Sequence, residues 1–323
     1  MPHKFHDAHR HHIPKAKYRV RNWAAYNAGL CQWGSITIWL SPDKIDSWRA
    51  PKREGRGGEM VYSDSAIEAM LTLGAVYHLP LRQTHGFTHS VFELLDLDLP
   101  VASVATLCRR RKALSIEPWI RDISEPLDLV LDSTGLKIYG QGEWCRAKHG
   151  KKRRGWKKLD VGFDAKSGMI VSHLLTNKDA GDPDQVDDIL AQIDGPVSRF
   201  MADGAYDGDP VYDAVKRHSP DPAPEVVIPP RKTAVFSSED EDEQTDRDRH
   251  ILELAAKGRM AWQKAHDYGR RSLVETTMGR YKSIIGERLH ARHDDAQPVE
   301  VAIGIKALNR MMNLAKPISV RVG

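Results

Sequence analysis

One stretch near the C-terminus carries residues that could act together in chemistry. Read as a helix of 3.6 residues per turn, Tyr268, Arg271, Glu275 and Lys282 fall within roughly 60° of one another. A carboxylate flanked by two cations and a phenol fits a site in which the carboxylate holds a metal ion and the cations hold phosphates. A solvated helix face with ordinary i,i+4 charge pairs explains the same spacing. The remaining sequence has to decide between the two interpretations.

Two further carboxylates follow apolar strand patterns. Asp132 interrupts the run that begins at Leu127, Asp203 follows the run 197–202, and each precedes a turn that contains glycine. From residue 126 the pattern reads as three strands, a helix, a strand, a helix, a strand and then a helix, which predicts an α/β domain with a mixed sheet. Its first and fourth strands are neighbours, so Asp132 and Asp203 should lie together. Other aspartates at turns and strand ends are open alternatives: Asp160, Asp164, Asp179, Asp182 and Asp207.

Asp132, Asp203 and Glu275 together would form a site made only of carboxylate oxygens. Such a site suits Mg²⁺, with Mn²⁺ as a substitute, and does not suit zinc. Two such ions about 4 Å apart can activate a water or a sugar hydroxyl for an in-line phosphodiester displacement. We therefore predict two ions per active site and no side-chain nucleophile.

Positive charge is unevenly distributed along the chain. The formal net charge of the 323 residues is only +4, yet residues 146–158 contain 8 Lys/Arg and no acid. That local density indicates an anionic polymer, here double-stranded DNA, as partner. The predicted backbone contacts in this stretch are Lys148, His149, Lys151, Lys152, Arg153 and Arg154.

The composition argues against membrane and secreted classes. The chain is 41% hydrophobic without a run of 18 apolar residues, and its His-rich N-terminus does not resemble a signal peptide. Its 3 cysteines have no paired spacing, which favours reduced thiols in a cytoplasmic compartment. We expect no membrane partner.

The first part of the chain reads as an arm followed by a helical unit. Residues 1–58 are predicted to be a basic His/Arg-rich arm and linker, and residues 59–122 a small all-α domain of three helices. The third helix carries Arg109, Arg110 and Arg111, which fits a helix-turn-helix-like DNA reader. A small helical bundle with a basic surface is the alternative. Residues 123–316 are the predicted catalytic domain, with a solvated acidic loop at 233–250, and residues 317–323 are a tail.

At this point the sequence resembles a known family. The spacing Tyr268-x2-Arg271-x3-Glu275-x6-Lys282 is similar to the signature of bacterial insertion-sequence DDE transposases of the IS-five family, in particular the subgroup around insertion sequence nine-oh-three. Further similar strings occur in the same order over nearly the whole chain: Tyr18-Arg-Val-Arg-Asn-Trp23, Leu81-Arg-Gln-Thr-His-Gly-Phe87, Asp132-Ser-Thr-Gly-Leu-Lys-Ile-Tyr-Gly, Lys148-His-Gly150, Ala202-Asp-Gly-Ala-Tyr-Asp207, Ile228-Pro-Pro-Arg-Lys232 and Ala307-Leu-Asn-Arg-Met311.

The resemblance implies an RNase H-like catalytic domain in which Asp132, Asp203 and Glu275 are the DDE triad. It also implies an N-terminal domain that reads the terminal inverted repeats of the element, and a synaptic homo-oligomer of at least two subunits. Tyr268, Arg271 and Lys282 match the accessory positions of the motif. The expected protein is a cytoplasmic, nucleoid-associated transposase that cleaves DNA ends and joins them to target DNA.

Two other functions stay open at this level, and a third is discounted. A catalytically silent relative could occupy inverted repeats as a repressor or scaffold, and it would bind ends without metal-dependent cleavage. A structure-selective nuclease on the same fold would cut without end sequences and would not join strands. A helical scaffold unrelated to nucleic acid would leave the basic stretch 146–158 unexplained.

Overall fold

The computed structural model describes residues 17–52, 60–120, 125–138, 155–237 and 244–322. The α-helices in these ranges are α1 (Trp23–Trp33), α2 (Ile36–Trp39), α3 (Pro42–Asp46), α4 (Asp64–Val76), α5 (Leu81–Leu94), α6 (Val104–Arg110), α7 (Val186–Leu190), α8 (Asp209–His218), α9 (Asp246–Lys257), α10 (Arg259–Ala265), α11 (Ser272–Ile284) and α12 (Gln297–Leu314). The strands are β1 (Lys17–Val20), β2 (Leu127–Ile138), β3 (Trp156–Asp164), β4 (Ile170–Asn177), β5 (Val197–Met201), β6 (Glu225–Val227), β7 (Arg288–Leu289) and β8 (Ser319–Val322). None of the described helices combines the length and apolar character needed to cross a membrane.

A mixed sheet with the order β4-β3-β2-β5-β6 forms the centre of the C-terminal part. β3 is antiparallel to both β2 and β4, whereas β5 is parallel to β2 and β6 is parallel to β5. The short β7 pairs with the far end of β2. This strand order, with helices on both faces, is that of an RNase H-like sheet and confirms the predicted fold class.

The two faces of the sheet pack into separate cores because side chains alternate along each strand. Leu129 and Leu131 of β2 face a core that includes α7 and α8. Val130 and Leu136 face a second core that includes α11 and α12. Asp132 continues the even-numbered series, so the strand directs it toward α11.

Helices α4, α5 and α6 form the predicted three-helix unit. Ser63 and Ser103 cap α4 and α6 by accepting backbone N–H groups with their hydroxyl oxygens. The core of the unit also includes Val299 and Ile303 of α12. The unit therefore packs on the C-terminal helix, and its DNA-binding role stays a prediction.

The segment before residue 58 holds more structure than an arm and linker. Helices α1–α3 were not predicted, and Trp39 and Trp48 are core residues with 1% and 0% exposure. Residues 17–20 of the predicted arm and residues 319–322 of the predicted tail are not separate extensions, because they pair with each other as β1 and β8. This segment forms helices because its aromatic residues pack into the cores formed with α4 and α12. The His-rich residues 1–16 and the linker residues 53–59 lie outside the described ranges.

The acidic stretch 233–250 is not a solvated loop throughout, because α9 begins at Asp246. Thr245 and Asp248 form a capping box at its start, and Asp248 also accepts the backbone N–H of Ser237 at 2.8 Å. Asp248 is 0% exposed. Its carboxylate is tolerated in the interior because these donors satisfy it. Residues 238–243 lie outside the described ranges.

Candidate active site

Asp132 enters the site from within β2. Its partner in register on β3 is Val161, which belongs to the core on the α11 side of the sheet. Its Oδ1 atom accepts the backbone N–H of Ser133 at 2.9 Å, and the side chain is 14% exposed. The strand thus fixes this carboxylate at the border between the core and solvent.

Asp203 lies two residues after the end of β5, which is parallel to and adjacent to β2. Its Oδ1 atom accepts the N–H of Ala205 at 2.7 Å and thereby caps a 3₁₀ turn over Gly204–Tyr206. A Cβ atom at Gly204 would lie 3.1 Å from the carbonyl oxygen of Pro229. The glycine therefore permits a close backbone approach that sets the direction of the turn.

Asp207 holds the end of this turn. Its Oδ1 atom accepts from Nε of Arg247 at 2.7 Å, and its Oδ2 atom accepts the backbone N–H of Arg231 at 2.8 Å. The Arg231 guanidinium in turn donates to the carbonyl groups of Gly204, at 2.8 Å, and Ala205. Two arginines from different segments thus fix the residues that follow Asp203.

Glu275 lies in the first turn of α11, which a 3₁₀ turn over Tyr268–Arg271 precedes. Val274, Met278 and Tyr281 of the same helix are buried in the core beneath the sheet. Glu275 lies on a different side of the helix, and its side chain is 61% exposed. The apolar stripe therefore orients the helix so that Glu275 reaches the Arg271 guanidinium, which also contacts the other two carboxylates.

The Arg271 guanidinium lies among all three carboxylates. Nη2 is 2.9 Å from Oδ2 of Asp132 and 3.7 Å from Oδ2 of Asp203, and Nη1 is 3.0 Å from Oε1 of Glu275. The structure therefore brings the predicted triad together, and it does so around a cation that the chain itself supplies.

The other residues of the C-terminal motif lie beside this cluster. The Tyr268 hydroxyl donates to the carbonyl of Ala202 at 3.3 Å, directly before Asp203. Nζ of Lys282 donates to Oγ1 of Thr134, two residues after Asp132, at 2.6 Å. The four motif residues therefore share one neighbourhood, as their spacing predicted.

Burial dominates the electrostatics of the site. It raises the pKa of the Asp132 carboxyl, and the nearby Arg271 opposes that shift without cancelling it. Burial also lowers the pKa of the Lys282 ammonium and raises the pKa of Tyr268 to about 12. An added cation near Asp132 would favour its ionised form, so the site is suited to cations.

The donor chemistry of the site fits a hard divalent ion, because its three acids offer only carboxylate oxygens. Among the residues that the structure describes, however, no group of three or more His, Cys, Asp or Glu side chains is arranged to hold a metal ion. The Arg271 guanidinium lies between these carboxylates. The residue types fit Mg²⁺ or Mn²⁺, and the arrangement is that of an arginine-bound cluster.

The remaining predicted DNA contacts fall into two groups. Lys148, His149, Lys151, Lys152, Arg153 and Arg154 lie outside the described ranges. In the helical unit, Arg110 donates to Asp64 at 2.6 Å and to the carbonyl of Tyr62 at 3.1 Å. Arg109 is exposed and Arg111 is half-buried. The three arginines therefore do not present one uniform basic face.

Some residues that organise the site were not predicted. Arg270 pairs with the buried Asp128 of β2, and Asp207 binds Arg231 and Arg247. One sequence signal existed, since Arg231 belongs to the string Ile228-Pro-Pro-Arg-Lys232 that the resemblance included without a role. The pairing of Asp207 with Arg247 had no signal, because 40 residues separate them.

Two solved structures align with most of this chain. A piggyBac transposase synaptic complex with hairpin DNA is 10% identical, with a TM-score of 0.39, over 92% of this chain and 77% of that one. A Mos1 mariner paired end complex with Mn is 14% identical, with a TM-score of 0.22, over 96% of this chain and 89% of that one. Scores this low carry no argument, and the fold assignment rests on the strand order.

Family models give the stronger comparison. One model described as a transposase DDE domain matches residues 31–141, and a second with the same description matches residues 123–312. The second match spans the whole sheet, the three carboxylates and α11. It covers more than half of the chain, and the protein therefore belongs to the family of transposase DDE domains.

Proposed function

We propose that the protein is a DNA transposase that cleaves the ends of its insertion sequence and joins the freed 3′-hydroxyls to target DNA. One observation carries this proposal: Asp132, Asp203 and Glu275 come from β2, from the end of β5 and from α11, and they converge on one cation. Membership of the transposase DDE-domain family supports it. The finer assignment to the IS-five family belongs to the same proposal.

In this proposal Asp132, Asp203 and Glu275 hold Mg²⁺, with Mn²⁺ as a substitute and two ions per active site. Such ions supply a water of lowered pKa and stabilise the charge on the leaving oxygen of an in-line displacement. The protein supplies the positions of the carboxylates. β2 and β5 fix two of them directly, and the buried stripe of α11 fixes the third.

The cations and the phenol of the motif hold DNA at this site in the proposed mechanism. Lys282 is partly buried beside Asp132, and Tyr268 lies beside Asp203. Both are within reach of a phosphate bound at the carboxylates, and such contacts position the backbone without reading sequence. The basic stretch 146–158 would extend this contact along the duplex.

The proposed reaction has two steps at one site. Water first hydrolyses the phosphodiester bond at the element end and leaves a 3′-hydroxyl. That hydroxyl then attacks a phosphodiester of target DNA, which releases one strand end and conserves the number of phosphodiester bonds. The three-helix unit α4–α6 would bind the inverted repeats, and at least two subunits would assemble with the two ends in the cytoplasm.

A plasmid assay tests the proposal. A supercoiled plasmid that carries both element ends is incubated with Mg²⁺ and either the wild type or Glu275→Gln, and a plasmid without the ends is the control. We expect the wild type to cut at the ends and join them to target DNA, while the variant binds the ends and does neither.

Two results would favour other functions. Binding of ends by both proteins without cutting, even with Mn²⁺, would favour a repressor or scaffold. Cutting of the control plasmid without strand joining would favour a structure-selective nuclease.

A further inference from the structure

We infer that Arg271 acts as an internal counterion that competes with divalent metal for the three carboxylates until DNA draws it away. The inference rests on the proposed function, because it treats Asp132, Asp203 and Glu275 as the metal ligands. It adds a coupling between DNA binding and metal binding that the motif alone does not imply.

The contacts of Arg271 place it in the position of a bound cation. Its two terminal nitrogens lie 2.9 Å from Asp132, 3.0 Å from Glu275 and 3.7 Å from Asp203. A guanidinium bonded to carboxylate oxygens and a metal ion that needs the same oxygens exclude each other, both sterically and by charge. Binding of a divalent ion by the triad therefore requires Arg271 to release at least part of it.

Arg271 has a place to go when it is released. A cavity of about 540 Å³ lies beside the triad, and its lining includes Arg271, Glu275, Tyr268 and Lys264. Nε of Arg271 is buried without a hydrogen-bond partner in the structure. A DNA phosphate at the mouth of this cavity would offer the guanidinium a bidentate partner. Lys264 would be a second cation close to the same phosphate.

Neighbouring cations do not share this arrangement. Arg270 pairs with Asp128, which lies four residues before Asp132 on β2. Lys282 donates to the Thr134 hydroxyl and makes no described ion pair with the triad. The control is Arg217 on α8, which is the same residue type and pairs with the exposed Asp187 outside the site.

The consequence is a defined linkage. Without DNA, Arg271 lowers the affinity of the triad for metal; with DNA, the phosphate takes Arg271 and the affinity rises. Couplings of this kind typically change an affinity by about 5- to 150-fold. A residue that only supported the fold of the site would have the opposite effect, since its loss would weaken metal binding.

The test is a Mn²⁺ titration followed by electron paramagnetic resonance on the full-length protein without DNA. We expect Arg271→Gln to bind Mn²⁺ about tenfold more tightly than the wild type, and the exposed-site control Arg217→Gln to match the wild type. Unchanged or weaker binding by Arg271→Gln would overturn the inference.

A second titration, in the presence of a duplex with the element end, tests the coupling in the wild type itself. End DNA should raise the Mn²⁺ affinity of the wild type by about tenfold and should change the affinity of Arg271→Gln much less. Equal affinity of the wild type with and without DNA would contradict the coupling.

A third variant separates failure of this inference alone from failure of the proposed function. Asp132→Asn in the Arg271→Gln background should lose the tight Mn²⁺ site. If tight binding survives that change, the triad is not the metal site, and both the proposed function and this inference fail together.

Discussion

Removal of the buried ion pair between Arg247 and Asp207 tests which contacts stabilise the site. Arg247 lies in the first turn of α9 and donates to Asp207 at 2.7 Å. Asp207 also accepts the backbone N–H of Arg231, whose guanidinium holds the turn after Asp203. Replacing Arg247 by leucine removes the counterion and keeps most of the apolar volume.

The expected loss of stability is large because neither partner reaches much solvent. The side chains of Arg247 and Asp207 are 10% and 1% exposed. Removing one partner of such a pair costs about 3–5 kcal/mol, since the other charge stays buried. Arg217→Leu is the matched control, because Arg217 and Asp187 form a pair with exposures of 67% and 74%. Exposed pairs contribute about 0–1 kcal/mol.

Urea unfolding followed by circular dichroism measures the difference. With a urea dependence of about 1–3 kcal/mol per M, Arg247→Leu should lower the midpoint by about 1 M or more, and Arg217→Leu should change it much less. Adding Asp207→Asn to Arg247→Leu should recover part of the loss, because it removes the unpaired charge. Equal midpoints for Arg247→Leu and Arg217→Leu would refute the reasoning.

Other side chains give predictions with different readouts. Burial raises the pKa of Asp160 on β3 to about 6. The stability that its protonated form contributes is therefore present below the ordinary carboxyl pKa of 3.8 and is lost as pH rises through about 6. Asp160→Asn should be more stable than the wild type at pH 8 and should lose that advantage toward pH 4 in urea midpoints; a less stable variant at pH 8 would contradict this. The Tyr206 hydroxyl is buried without a hydrogen-bond partner in the structure, so Tyr206→Phe should preserve or raise the free energy of unfolding. A decrease in that free energy of more than about 1 kcal/mol would contradict this prediction. Lys282→Gln should weaken binding of end DNA and reduce the slope of log affinity against log salt by about 1, whereas Lys216→Gln on α8 should leave the slope unchanged; equal slopes for Lys282→Gln and the wild type would argue against a phosphate contact.

The sheet was predictable because its signals are local. Alternation in β2 and β3, the Pro-initiated helices and the single apolar run of β5 determine the strand order through simple connection rules. The same rules separate Asp132 from Asp160 only once the register is known. Asp132 lies opposite Val161 and faces α11, whereas Asp160 lies on the face that packs against α7 and α8.

Other features depend on contacts that no local pattern carries. Asp248 belongs to an acidic stretch that reads as solvated, yet capping donors and Ser237 make it fully buried. Trp39 and Trp48 form cores with helices far along the chain, including α12, so their segment resembles an arm when it is considered alone.

Within the site itself, the contacts of Arg271 were likewise not predictable from a local sequence pattern. Its spacing from Glu275 placed it on the functional face of the helix, and the motif predicted a contact with DNA. Its contact with Asp132 depends on how α11 crosses the sheet, which the sequence does not specify. The structure therefore adds a counterion role to a residue that the sequence had marked only as a DNA contact.

The most direct test of the central claim compares three carboxylate variants with a buried carboxylate from the other face of the sheet. Asp132→Asn, Asp203→Asn, Glu275→Gln and the control Asp160→Asn are assayed for Mg²⁺-dependent cleavage and joining of DNA that carries the element ends. We predict that the first three bind the ends without cutting, and that Asp160→Asn cuts and joins like the wild type. Cleavage by any of the three triad variants at the wild-type rate, or its loss only in Asp160→Asn, would contradict the assignment of the active site.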